Sequence, residues 1–216
     1  DWRGYYSRSL VFMDENEYKA AINLIDPVSE TFSNIFSIQY ILGLCYSRIK
    51  MSDEAINFYN RAITIRPNSI NVLHSIAILY DEIGEWIKSD KIYDQLIKNN
   101  PNDAQAYNNY AYSLVERNQD LQRALSYAKK AINLEPENPS YLDTIGWAYY
   151  KMNDIKKART FIEKSIEIQG DNSVVLEHLG DILMKFNDSA KALVLYKKAY
   201  ELDKENFQLK KKAYPD

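Results

Sequence analysis

The sequence predicts an all-α chain in which a helix-turn-helix unit repeats about six times, and three observations predict it. Glycine and proline number 6 each in 216 residues, about half their usual frequency, which leaves few tight turns for a β-rich fold. Small residues recur at a fixed period: Gly43, Ala77, Ala111, Gly146 and Gly180 lie 34, 34, 35 and 34 residues apart. Apolar positions follow helical spacing, and no segment shows the period-two alternation of a strand.

Three further ladders keep the same phase. Ala21, Ala55, Ser89, Ala124, Ala158 and Ala192 form one, and Val28, Ala62, Leu96, Ala131, Ser165 and Ala199 a second. Phe12, Tyr46, Tyr80, Leu114, Tyr149 and Leu183 form a third, of large residues. Self-similarity at such a period marks a stacked-repeat architecture. We therefore read residues 1–204 as one array, with units at approximately 2–35, 36–69, 70–103, 104–138, 139–172 and 173–206.

The first unit carries Ser9 at the small-residue position, and Pro27 shortens its second helix. The second runs through Gly43 and Tyr46, then Ala55 and Ala62, and stops at Pro67. The third begins at the capping residue Ser69, turns at Gly84, places Ser89 and Leu96 on the alanine ladders and ends at Pro101. In the fourth, Asp103 caps and Pro136 closes, with one extra residue, most simply Asp120, in the inter-helix turn.

The fifth unit shows the logic in full. Asn138 caps, Pro139 sits in the first turn where a missing N–H costs nothing, and Leu142, Ile145, Trp147 and Tyr149 supply apolar surface. Asn153-Asp154 makes the turn, and Ala158, Phe161, Ile162 and Ile166 line the second helix. The sixth unit starts from the cap Asn172, and Gly170 and Lys204 stand where earlier units have the boundary proline. Residues 205–216 are a short C-terminal helix or the start of further sequence. Asn206 caps it, and Lys210, Lys211 and Lys212 suit the negative end of its dipole. That reads as a solvated helix end, with a basic recognition patch as the alternative. Glycine inside a helix costs about 1 kcal/mol relative to alanine, so Gly43, Gly146 and Gly180 imply close approach of a neighbouring helix backbone.

These residues resemble the tetratricopeptide repeat over essentially the whole chain. The family pattern is a large residue, Leu-Gly, Tyr, two alanines and a proline. Leu42-Gly43, Tyr46, Ala55, Tyr59, Ala62 and Pro67 match it in the second unit, and Leu176, Leu179-Gly180, Ala192, Tyr196 and Ala199 in the sixth. The resemblance implies a right-handed superhelical solenoid whose first helices line a concave groove, and a role as a protein-protein interaction scaffold or adaptor. Carried over residue by residue, its groove positions give Tyr6, Tyr40, His74, Asn108, Tyr112, Asp143, Trp147, Tyr150, Glu177 and Asp181 as partner-binding candidates. Glu116 and Lys151 fall on inward-facing positions of the same groove.

Within that set Tyr40, Tyr112, Trp147 and Tyr150 are the expected anchors, and Asp143, Glu177 and Asp181 the selectors of cations. Glu177 and Asp181 are four apart and share a helix face. The expected partner is an extended peptide or protein with apolar residues at one end and Lys or Arg at the other. The lysine-asparagine-arginine clamp that related repeats use for acidic chaperone tails is absent, since only Asn108 has that chemistry. Many of the 18 tyrosines, such as Tyr46, Tyr59, Tyr93 and Tyr196, occupy structural positions.

Catalysis has little support. His74 and His178 lie three units apart, Cys45 reads as a packed thiol, and no phosphate-cradling glycine loop, HExxH or CxxC occurs. His178 is rotated by about 100° from Glu177 on its helix, away from a shared metal site with Glu177 and Asp181. No catalytic, cofactor or metal residue is assigned, and the chain is not expected to be an enzyme. A net charge of −3 argues against nucleic acid, and no apolar run approaches the ~20 residues of a membrane span. The expectation is a soluble protein, with cytoplasm and periplasm both open. Beginning at Asp1-Trp2 without methionine, the sequence reads as cut from a longer polypeptide or stripped of a leader. Two alternatives stay open: the substrate-recruiting region of a larger enzyme or assembly, and self-association through exposed repeat ends.

Overall fold

Turn signals in the sequence coincide with helix ends in the structure, a computed structural model that describes residues 1–215. Among these residues thirteen α-helices follow one another: α1 (Trp2–Asp14), α2 (Tyr18–Ile25), α3 (Phe36–Arg48), α4 (Ser52–Ile65), α5 (Ile70–Glu82), α6 (Trp86–Asn99), α7 (Ala104–Glu116), α8 (Leu121–Leu134), α9 (Pro139–Lys151), α10 (Ile155–Ile168), α11 (Ser173–Lys185), α12 (Ser189–Leu202) and α13 (Phe207–Ala213). Consecutive helices pair as hairpins, and the chain forms two compact units. Asp1–Pro101 holds α1 to α6, and a second beginning at Asn102 holds α7 to α13.

Local chemistry accounts for the helix boundaries. Asp103, Asn138, Asn172 and Asn206 each accept a backbone N–H of the helix they precede, the capping expected of Asp and Asn. Ser69 stands at the matching position, but its hydroxyl makes no capping bond. At the hairpin tips the backbone turns left-handed at Asn16, Lys50, Gly84, Asn118, Asn153 and Asn187, with φ between 53° and 77°. These positions keep the spacing of the small-residue ladder. Asparagine and glycine tolerate this region best, which is why they dominate the tips. In the fourth hairpin Asp120 adds a second left-handed residue, φ 38°, and also caps α8. The extra residue therefore sits where the sequence placed it.

The ladder Ala21, Ala55, Ser89, Ala124, Ala158, Ala192 is 0% exposed throughout, marking the line where paired helices meet. Ser89 fits that line by donating to the Asp81 carboxylate, which also accepts from the Tyr93 hydroxyl at 3.0 Å. Ser165, on the second alanine ladder, donates to the Pro139 carbonyl at 2.7 Å and ties α10 to the start of α9.

One expectation is corrected at the mid-helix glycines. What crosses them is chiefly a side chain of the paired helix rather than a backbone. A Cβ on Gly43 would meet the Tyr59 ring, one on Gly146 would lie 2.7 Å from Ile162 Cγ1, and one on Gly180 would strike the Tyr196 ring. At Gly146 a backbone atom, the Ala158 carbonyl at 3.2 Å, is also among the nearest neighbours. Tyr59 and Ile162 are fully buried, and each such side chain contributes roughly 1.5–3 kcal/mol by leaving water. That offsets the weaker helix propensity of glycine.

Pro27 acts as expected. Helix α2 has 8 residues and gives way to a 3-10 turn at Asp26–Val28. Tyr46 donates to Asp26 Oδ2 at 2.7 Å, and Gln39 Nε2 reaches the Phe32 carbonyl at 3.2 Å, so α3 fixes the connection that follows. Cys45 lies fully buried, and burial pushes its thiol up to about 12.

Candidate protein-binding face

In the first compact unit the three candidate residues are spread over three helices. Tyr6 on α1 meets Trp2 edge to face at 6.2 Å. Tyr40 on α3 stacks with Phe36 at 5.8 Å, and its hydroxyl lies 3.2 Å from Ser75 Oγ on α5. His74 on α5 is buried. Between α3 and α5 a cavity of about 250 Å3 is lined by Leu44, Ser47, Arg48, Tyr59, Ser75 and Ile78.

The second compact unit brings the remaining candidates together on α7, α9 and α11. Trp147 is the centre. It is only 7% exposed, and Tyr150 stacks on it at 4.5 Å with planes 5° apart. His178 of α11 stacks on it too, at 3.9 Å and 13°. The indole N–H donates to Glu116 Oε1 of α7 at 2.6 Å, and the Lys151 ammonium lies 5.0 Å from the ring centroid. Tyr112 of α7 is half-buried, and burial raises its phenol well above the usual range, with the charges of Glu116, Asp143 and Glu177 adding to the effect. Asn108, also on α7, is buried beside Asn109, 3.4 Å from its side-chain oxygen.

The three acids expected to select cations each have a partner within the chain. Asp143 is buried, and its Oδ1 lies 2.8 Å from His178 Nδ1. Asp181 accepts from the Tyr196 hydroxyl at 2.7 Å and from the Lys212 ammonium at 2.7 and 2.9 Å. Glu177 Oε1 lies 2.8 Å from the same ammonium. Burial opposes the charge on Lys212, but the Asp181 and Glu177 contacts outweigh it and raise its pKa. Beside them, burial and the Asp181 charge raise the Tyr150 phenol, while Lys212 opposes the rise. The terminal segment is therefore not merely solvated: Leu209 and Ala213 are buried and Lys212 is bound.

Three residues of this face lie outside the sequence-derived set: His178, Tyr196 and Lys212. A signal for two of them exists. Tyr40 and Ser75, Asp143 and His178, and Glu177 and Lys212 are each 35 residues apart and each join one first helix to the next. One repeat plus one residue is the offset at which neighbouring first helices touch. Polar pairs at that offset, rather than at the repeat length itself, carry the information.

Two family models cover the array. The Psidin N-terminal TPR repeats region matches residues 11–148, and the tetratricopeptide repeat model matches 139–172 and 175–206. The chain belongs to the tetratricopeptide repeat family. A TPR repeat-containing protein of Methanocaldococcus jannaschii is 28% identical over 161 residues, covering 68% of this chain and 27% of that protein. Protein ycf37 of Pyropia yezoensis is 31% identical over 72 residues, 33% of this chain and 40% of that one. The chain thus spans well under half the length of these two relatives. Among solved structures, a tetratricopeptide repeat protein of Parabacteroides merdae superposes with a TM-score of 0.85 at 15% identity, over 97% of this chain and 81% of its own. YrrB, described as a TPR protein with an unusual peptide-binding site, gives 0.60 at 20% identity, over 80% and 88%.

Tetratricopeptide repeats generally mediate protein-protein interactions, and these matches identify no catalytic domain in the TPR chain. Among the described residues no helix is long and apolar enough to cross a membrane, and no three His, Cys, Asp or Glu side chains group as metal ligands.

Proposed function

We propose that this TPR chain is a scaffold or adaptor that takes a partner peptide or protein on its first-helix face. The stack of Tyr150 and His178 on Trp147, locked by the indole bond to Glu116, carries this reading. Such a platform is rigid before a ligand arrives, so little side-chain entropy is lost on binding. Trp147 itself is packed; the half-buried Tyr150 and Tyr112 and the exposed Glu116 are what a partner would touch. Aromatic anchors with a charged rim are the usual composition of binding hot spots. Apolar side chains with a Lys or Arg suit this rim, and YrrB's description as peptide-binding supports the same class of ligand.

The test is capture of partner proteins by the immobilised chain, compared with a Tyr150→Ser/Glu116→Arg chain. Loss of the captured proteins with unchanged far-UV circular dichroism is expected. Equal capture by both chains refutes this face as the site. One observation favours a broader setting for the same role. The chain spans 27% of its M. jannaschii relative, which suits a recruiting region within a larger protein or assembly.

A further inference from the structure

Tyr59 belongs to the second helix α4, yet its hydroxyl serves the first-helix side. The ring passes over Gly43, where a Cβ would collide with it, and lines the cavity of about 250 Å3 between α3 and α5. There the phenol hydrogen-bonds with the Ser47 and Ser75 hydroxyls. Ser75 Oγ gives its own proton to the Asn71 carbonyl at 2.9 Å and lies 3.2 Å from the Tyr40 hydroxyl. Both serines are half-buried, while the body of Tyr59 is 1% exposed.

Other buried tyrosines of this chain show what such a hydroxyl meets. Tyr46 donates to Asp26 at 2.7 Å, Tyr93 to Asp81 at 3.0 Å and Tyr196 to Asp181 at 2.7 Å. Each of the three meets a carboxylate. Tyr59 meets only hydroxyls, and the cation that acts on it is the Arg48 guanidinium. Arg48 is exposed, lines the same cavity and makes no ion pair among the described residues. The acid on the lining, Glu82, is held by Lys50 at 3.3 Å. A guanidinium and a buried phenol therefore converge where the chain places no carboxylate of its own. Burial raises the Tyr59 phenol, so it keeps its proton to donate.

We propose that this cavity is a carboxylate seat, which takes a glutamate side chain of a bound peptide. Arg48 offers paired N–H donors to the two carboxylate oxygens, and the Ser47 and Tyr59 hydroxyls supply further hydrogen bonds. Leu44 and Ile78 give apolar wall for the methylenes. The volume suits one side chain, since pockets for larger ligands run roughly 300–1,000 Å3. The donor set differs from the lysine-asparagine-arginine clamp: serine and tyrosine hydroxyls replace lysine and asparagine, and a second helix contributes one of them. The seat lies wholly within the first compact unit. It goes beyond the face built around Trp147, uses none of its residues and stands without it.

The probe is acetyl-Ala-Glu-Ala-amide, titrated into the nitrogen-15-labelled full chain and followed by nuclear magnetic resonance. Saturable shifts of the Arg48 Nε–H and Ser47 amide signals are expected. The matching glutamine peptide, acetyl-Ala-Ala-Ala with a free terminal carboxylate, and inorganic phosphate should each bind at least fivefold more weakly. Arg48→Gln, a change at an exposed side chain, should weaken the glutamate peptide at least tenfold, read on the Ser47 amide. Glu82→Gln removes the like charge beside the seat and should tighten it about threefold. Shifts that fail to saturate, or equal binding of the glutamine peptide, would overturn the seat. So would unchanged affinity in Arg48→Gln, weaker binding in Glu82→Gln, or tighter binding of phosphate or the terminal carboxylate. The titration uses no captured partner, so the outcome at Tyr150 and Glu116 and the outcome here are read separately.

Discussion

His178 Nδ1 meets Asp143 Oδ1 at 2.8 Å across neighbouring first helices, with both side chains less than a tenth exposed. The imidazole also stacks on Trp147, so one residue joins α11 to α9 by a polar bond and a ring contact. A buried pair of this kind is costly to break and much less costly to replace whole. Asp143→Ala should destabilise the chain by about 2–3 kcal/mol, because His178 loses its acceptor in a site water scarcely reaches. Asp143→Leu/His178→Phe should recover at least half of that loss. Urea denaturation of the two variants checks it, and a double variant no more stable than Asp143→Ala would contradict the pairing.

Glycines within helices make opposite predictions at different sites. Gly180→Ala drives a methyl into the Tyr196 ring, whose hydroxyl is tied to Asp181. A loss of about 1–3 kcal/mol is expected from overpacking, despite the better helix propensity of alanine. A methyl added at Gly4 in α1 would meet nothing within 4 Å, so Gly4→Ala should gain up to about 1 kcal/mol. Denaturation midpoints moving in opposite directions would bear this out.

Backbone conformation at the hairpin tips gives a third test. Lys50 occupies the left-handed region at φ 63° with an exposed side chain in a surface ion pair to Glu82. Relief of strain should outweigh the loss of that pair, which is worth little in solvent. Lys50→Gly should therefore stabilise by about 0.5 kcal/mol, and Gly84→Ala, at φ 77°, should cost about 1 kcal/mol. Thermal midpoints of the two variants decide it.

Alkaline pH should unfold the chain for an identifiable reason. Burial lifts the phenols of Tyr59 and Tyr196 and pushes Tyr141 up to about 12, against about 10 in the unfolded chain. The folded state thus holds these protons more tightly. Their contribution is complete below about pH 10 and is lost as pH rises through the folded values. Each lagging phenol costs about 1.4 kcal/mol per pH unit in that window. Urea midpoints at pH 8, 10 and 11 should fall steeply over the last step, with phenolate absorbance appearing together with unfolding.

The sequence exposed the fold because its signals are periodic and local. Asn138, Pro139 and Gly84 each report a backbone requirement that recurs every repeat, and Ala158 reports a contact that only a small side chain allows. The face was half legible. Trp147 and Tyr150 follow from their place on the helix, but place alone does not say what a side chain touches. Asp143 looks like a free acid until α11 brings His178 against it, and Lys212 looks like a solvated charge until α13 turns it onto Glu177 and Asp181. Those pairings depend on the rotation of one helix against the next. The ladders repeat every 34 or 35 residues and leave that rotation unmarked; it shows only in polar pairs 35 residues apart.

The fourth hairpin has one residue more than its neighbours, yet the alanines on either side of it stay in line. Asn118 and Asp120 absorb the addition by turning left-handed twice within three residues. The tip can therefore lengthen without shifting the packing phase of the helices it joins. For protein engineering this makes residues 118–120 a graft point, where an epitope or reporter loop can be spliced in without rewriting the repeats on either side.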